Sequence, residues 1–199
     1  MLSLDEGKKA IEFIRLILSA TIYRNHLPEM KLSQRFTEAH GVFTTLHTFP
    51  NHTLRGCIGV PESIMPLKEA IIKSAKSVIH DPRFPVLQAN ELDNLVVEIT
   101  ILSKPEIISK QDNDVVKGII VGKHGLIIEQ GFYKGLLLPQ VPVEQNWDSK
   151  SFIEHTCLKA GLPKDAWLDK NTVIKKFTGQ IFTEEKPFGK IREKTFDEA

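Results

Sequence analysis

Cysteine is nearly absent from this 199-residue chain: Cys57 and Cys157 are the only two, too few for a disulfide framework or a classical structural zinc site. That usage fits a reducing, cytoplasmic setting. An excess of either charge is missing too. The 26 basic side chains face 25 acidic ones for a net charge of +1, which argues against the basic footprint of a nucleic-acid or anionic-membrane binder. No apolar run is long enough to cross a bilayer, because Glu12 and Arg15 interrupt the first and Glu98 interrupts residues 95–102. The first apolar stretch also lacks the small-residue cleavage pattern of a signal peptide. The seven histidines show no HExxH spacing, so the sequence points to no metal and no cofactor. What is present is an ordinary globular composition, sufficient for one substantial core or two packed lobes.

Ser3 and Glu6 have the spacing of a capping box, which predicts a helix over residues 4–23 with Ala10, Ile14, Ile17 and Leu18 inward and Glu12, Arg15 and Ser19 outward. Residues 25–40 read as a connection. Threonines and aromatics predict strands over 42–49 and 53–60, joined at Pro50 and Asn51 and therefore antiparallel. Pro66 opens a second helix that ends near His80, since Asp81 precedes Pro82. A central strand follows at 95–102, then a polar crossover near 103–116. Short apolar runs at 118–121, 126–129 and 136–138 predict a meander. Asp148 caps a third helix that carries Cys157 on its apolar face, and one last strand is expected over 173–183 before a charged tail. Together these features predict an α+β fold, mainly antiparallel sheet with flanking helices.

The most unusual segment is Leu54-Arg55-Gly56-Cys57-Ile58-Gly59. Two glycines weaken an otherwise favourable strand and mark a bulge or a close approach. Period two sets Arg55, Cys57 and Gly59 on one face, with the apolar set on the core side. A guanidinium beside a thiol favours thiolate, so Arg55 is expected to activate Cys57; the alternative is that Cys57 is a small buried hydrophobe and Arg55 simply braces a carboxylate. His80, Asp81 and Arg83 sit in a loop stiffened by Pro82 and Pro85, either as a polar site or as a tie for the helix end. Glu98 needs a cation inside its apolar strand, and Arg55 or Arg83 is the expected partner. Gln140 and Glu144 flank a proline-clamped exit that lines a pocket or simply connects two elements.

The hexapeptide, the Asp81-Pro82-Arg83-Phe84-Pro85 run, the strand bearing Glu98 and residues 135–144 together resemble the AMMECR domain family, in order and spacing. The resemblance covers nearly the whole chain. It implies one α+β domain over residues 1–199 with a larger and a smaller lobe, it makes the hexapeptide the functional signature, and it names no reaction, metal or cofactor. Here Pro85 is followed by Val86 where family members commonly carry a second proline. Family members are also associated with Memo-like and radical SAM proteins, which implies a shared pathway. Two functions are then expected. One is a small-molecule or catalytic cleft between the lobes, with Cys57 as nucleophile or redox centre, Arg55 orienting an anion, Glu98 or His80 handling protons, and Gly56, Gly59, Arg83, Gln140 and Glu144 contacting the ligand. The other is an adaptor that takes a peptide or protein partner in the same cleft.

Overall fold

The computed structural model describes residues 1–109 and 115–195. In chain order the elements are α1 (Leu4–Ile22), a 3-10 turn (Gln34–Thr37), β1 (Gly41–Thr48), β2 (Leu54–Val60), α2 (Leu67–Val78), a 3-10 turn (Ala89–Asn94), β3 (Leu95–Leu102) and β4 (Glu106–Ile107). They continue with β5 (Gly125–Gln130), β6 (Tyr133–Leu137), α3 (Gln140–Glu144), α4 (Ser149–Lys159), a 3-10 turn (Ala166–Leu168), β7 (Val173–Phe177), β8 (Gly179–Glu184) and β9 (Ile191–Lys194). The strands form two sheets, ordered β2-β1-β3-β8-β9 and β4-β7-β5-β6, and the fold is α+β with antiparallel pairing. Contacts divide the chain into two units. One holds Met1–Leu102 and Gln180–Lys194, and the second is mostly Ser103–Gly179.

In the first unit the capping box forms as the sequence predicts: the Ser3 N–H donates to Glu6 Oε2 at 2.8 Å and the Glu6 N–H donates to Ser3 Oγ at 3.3 Å. Ala10, Ile14, Ile17 and Leu18 of α1 are fully buried with Leu67, Ala70, Ile71 and Ala75 of α2 and with Val42, Leu46, Val97, Ile99 and Ile101 of the sheet. Each Ile or Leu so buried contributes roughly 1.5–3 kcal/mol. Thr44 of β1 meets Ser74 of α2 through a 2.7 Å hydroxyl contact. That contact fixes which face of β1 looks at α2: Val42, Thr44 and Leu46 face it, and Phe43, Thr45 and His47 face away.

Arg15 differs from the expectation of a solvated outer position. Its Nε donates to Glu184 Oε1 at 3.1 Å, Nη2 donates to Glu184 Oε2 at 2.5 Å, and Nη1 and Nη2 donate to the carbonyls of Leu92 and Leu95. Glu184 also accepts the Val97 N–H at 2.9 Å. The guanidinium thus ties α1 to the strands beneath it, with both charges paired and hydrogen-bonded as partly buried ions require.

In the second unit α4 packs on β5 and β6, burying Leu126, Ile128, Phe152, Ile153, Cys157 and Ile174. Asp148 caps α4 by accepting the Ser151 N–H at 2.7 Å, and Cys157 is core. Three readings are corrected. Residues 118–121 are turns instead of a strand, because the Ile120 N–H donates to His124 Nδ1 at 3.0 Å and its carbonyl accepts the His124 N–H at 2.9 Å. The expected strand at 136–138 begins earlier, at Tyr133. The single strand over 173–183 is two strands that join different sheets across Thr178. Of the crossover at 103–116, residues 110–114 lie outside the described residues; β4 occupies part of what precedes them.

Candidate functional site

The hexapeptide lies in β2, which among the described residues is an edge strand paired only with β1. Its register runs Thr45↔Cys57 and Leu46↔Gly56, then slips to His47↔Leu54, so Arg55 is an extra residue opposite β1. A bulge re-aims the side chain it carries, and Arg55 is re-aimed away from Cys57. Its Nε and Nη2 donate to the two carboxylate oxygens of Glu91 at 2.7 and 3.0 Å, and Nη2 also donates to the Pro85 carbonyl at 3.0 Å. Glu91 in turn accepts the Gln88 N–H at 2.8 Å, and Arg55 holds its carboxyl below the usual range. Arg55 therefore anchors the 3-10 turn before β3 and does not activate the thiol.

The cation near Cys57 is Arg83, and it acts on the backbone. Asp81 receives the Cys57 N–H at 2.9 Å on Oδ2, the Arg83 N–H at 3.1 Å on Oδ1, and the guanidinium at 3.0 and 2.7 Å. Arg83 Nη2 also donates to the Cys57 carbonyl at 3.0 Å. The outer edge of β2 at Cys57 is thereby closed by two side chains that stand where another strand's backbone would be. Asp81 is 2% exposed, and its hydrogen bonds from Arg83 and from the Cys57 and Arg83 backbone hold its carboxyl far below the usual carboxylate range.

Across the sheet, Cys57, Thr45 and Glu98 stand in one row, since Thr45 pairs with both. The row faces away from α2. The Thr45 hydroxyl donates to Cys57 Sγ at 3.3 Å. Glu98 is 7% exposed and pairs with Lys194 Nζ at 3.2 Å, which corrects the expected partners Arg55 and Arg83. Burial pushes the half-buried Cys57 thiol above its ordinary value of 9.0; Thr45 and Arg83 pull the other way, while Glu98 and Asp81 add to the rise. Cys57 thus rests as a neutral thiol, contrary to the expected thiolate. His47 shares this face, and burial keeps its imidazole below its ordinary value against the opposing charge of Glu98. Among the described residues, no group of three His, Cys, Asp or Glu side chains could hold a metal ion.

The two glycines serve packing. A Cβ on Gly59 would lie 2.3 Å from the Phe43 ring, and one on Gly56 would lie 3.0 Å from Val78 Cγ2 at the end of α2. The space assigned to a ligand at these positions is filled by the protein itself, and Gly56 lies on the α2 side of the sheet, opposite Cys57.

The family model described as AMMECR1 matches residues 11–182. The chain belongs to the AMMECR1 family. Protein MJ0810 of Methanocaldococcus jannaschii is 45% identical over 196 residues, 98% of each chain. A protein of Aquifex aeolicus is 49% identical over 161 residues, 80% of this chain and 83% of its own. The crystal structure of protein PH0010 from Pyrococcus horikoshii is similar with a TM-score of 0.82 at 44% identity, covering 96% of this chain and 97% of that one.

Within this AMMECR1 chain the remaining candidates separate. His80 is exposed on the turn after α2 and is not part of the row; the histidine on the Cys57 face is His47. Gln140 and Glu144 belong to the second unit, on the short helix α3, where Glu144 is exposed and Gln140 Oε1 is buried without a hydrogen-bond partner. Sequence reasoning missed Thr45, His47, Glu91 and Lys194. Period two along 42–49 would have put Thr45 and His47 on one face, but only the strand order says that this face is the one carrying Cys57 and Glu98. Among the described residues no helix is long and apolar enough to cross a membrane.

Proposed function

We propose that the protein binds a small molecule on the sheet face that points away from α2, at the row Cys57, Thr45 and Glu98, and that Cys57 meets it as a thiol. The observation that carries this reading is the mounting of Cys57. Its N–H and C=O are both fixed, by Asp81 and Arg83, while the residue is half-buried and its sulfur lies beside a hydroxyl. A structural cysteine needs no such brace, whereas a contacting group gains from being held before the ligand arrives. Where the ligand carries a polarised double bond, Sγ bonds to its electrophilic atom as that π bond opens, and the thiol proton passes to the atom at the other end, so nothing is left over. Lys194 pairs with Glu98 at 3.2 Å and holds it in place in the row.

The test is a thermal-shift screen of a metabolite panel against the wild-type chain and the Cys57→Ala and Glu98→Gln variants. A compound that raises the wild-type melting temperature and loses most of its effect in both variants supports the site. Compounds that stabilise all three proteins equally refute it. A stable complex with a Memo-like or radical SAM protein that survives Cys57→Ser and needs no small molecule would replace this reading with an adaptor.

A further inference from the structure

A cavity that shares no residue with the Cys57 row lies on the α1 side of the first unit. It has a volume of about 560 Å³ and is bounded by α1, by Glu29 and Met30 after it, and by the chain joining β8 to β9. That size falls within the range of small-molecule sites. Its walls are apolar, from Ile11, Leu16, Met30, Phe188 and Ile191. Its floor is Arg15, whose charge is cancelled by Glu184 and whose guanidinium lies 4.1 Å from the Phe188 ring centroid.

Two features ask for an occupant. Phe188 is 63% exposed, and its backbone sits at φ 55°, a left-handed conformation that a bulky residue adopts at a cost. Neither the exposure nor the conformation is repaid by burial in the core. Glu12 and Glu29 meanwhile line the same cavity, both exposed and, among the described residues, with no ion pair. With Arg15 and Glu184 neutralising each other, the cavity keeps apolar walls and two unopposed carboxylates.

We infer that this cavity binds an amphipathic monocation: an aromatic or branched aliphatic body carrying an ammonium or amidinium group. The body packs against Leu16, Met30 and Phe188, and the cation takes up the charge of Glu12 and Glu29. An anion of the same shape meets carboxylates without a free cation there. A separate cavity of about 470 Å³ at the C-terminal end of α1 is lined instead by Arg24, His26 and Lys76.

Titration calorimetry with 2-phenylethylammonium as probe tests the assignment on the full chain. Saturable binding is expected, weakened about tenfold by the Glu12→Gln, Glu29→Gln double variant, in keeping with the loss of two exposed charge contacts. Phe188→Ala should weaken it as well, and Lys76→Gln should leave it unchanged. Melting temperatures of the free variants confirm that they are folded, as surface changes at these exposed positions should be. Absence of saturable binding to the wild-type chain up to about 10 mM, or an affinity unaltered in the double variant, overturns the inference. Neither result bears on the Cys57 row, which these variants do not touch.

Discussion

Replacing Asp81 tests the mounting of Cys57 more directly than replacing Cys57 itself. Asp81→Ala removes one carboxylate that receives the Cys57 N–H, the Arg83 N–H and the Nε and Nη2 donors of the Arg83 guanidinium. The guanidinium share is small: the Arg83 side chain is 54% exposed and regains water, and such pairs contribute about 0–1 kcal/mol. Backbone donors dominate, since a hydrogen bond to a charged group contributes about 1.5–3 kcal/mol. The expected loss is about 2–4 kcal/mol, which lowers Tm by about 4–16 °C in a chain of this size. Asp81→Asn keeps an acceptor for the Cys57 N–H and should lose about half as much.

The acid limb gives the same argument an independent reading. Asp81 has a folded pKa far below its ordinary 3.8, so its stabilisation is complete above that value. It fades as the pH falls below 3.8 towards the folded value, because the unfolded chain takes up the proton first. Urea denaturation from neutral pH down through this window should show the gap between wild type and Asp81→Ala narrowing as the solution becomes more acidic. Equal midpoints at neutral pH, or a gap that stays constant through the acid limb, would refute the reasoning.

Three further predictions follow from the same geometry. Alkylation of Cys57 by iodoacetamide should have a pH midpoint above 9.0, and Thr45→Val should raise it further by removing the hydroxyl that favours thiolate; a midpoint below the free-thiol value in the wild type sinks the resting-thiol assignment. Arg55→Lys should cost about 1–2 kcal/mol, since an ammonium cannot reproduce the two-point grip on Glu91, yet leave the alkylation midpoint where it was; a midpoint that moves returns Arg55 to the thiol. Gly59→Ala should destabilise by about 1–3 kcal/mol through overpacking against Phe43, and Phe43→Leu in the same chain should recover part of that, which a double-mutant cycle measures.

Where the deciding signal is local, the sequence alone was enough. The Ser3–Glu6 box set the start of α1, Asp148 set the start of α4, and the β-branched run of residues 95–102 is β3 to the residue. Residues 173–183 carry strand propensity throughout, and nothing in that propensity shows that Thr178 is where the chain changes sheets. The change is held by nonlocal contacts: the Ser103 N–H donates to the Thr178 carbonyl at 2.8 Å, and the Thr178 N–H donates to Ser103 Oγ at 2.9 Å, across 75 residues of chain. Residues 118–121 fail in the opposite sense, because apolar content alone does not separate a strand from a turn folded around a buried His124.

The site obeys the same division. That Glu98 needed a cation followed from its strand, but which cation depended on strand order, and the last strand brings Lys194 from 96 residues away. Arg15 and Glu184 meet across 169 residues for the same reason. The motif's own arginines were the nearest candidates in sequence, and both turned out to hold backbone and turns in place: Arg55 through Glu91, Arg83 through Asp81 and the Cys57 carbonyl. The consequence is chemical. Burial outweighs the pull of the Thr45 hydroxyl and of Arg83 toward thiolate, and the Glu98 and Asp81 carboxylates add to the rise, so the sulfur keeps its proton. A ligand that is to react here must itself lower that barrier, by shielding Glu98 or by bringing positive charge to the sulfur, and a ligand that only binds finds a thiol donor already fixed in place.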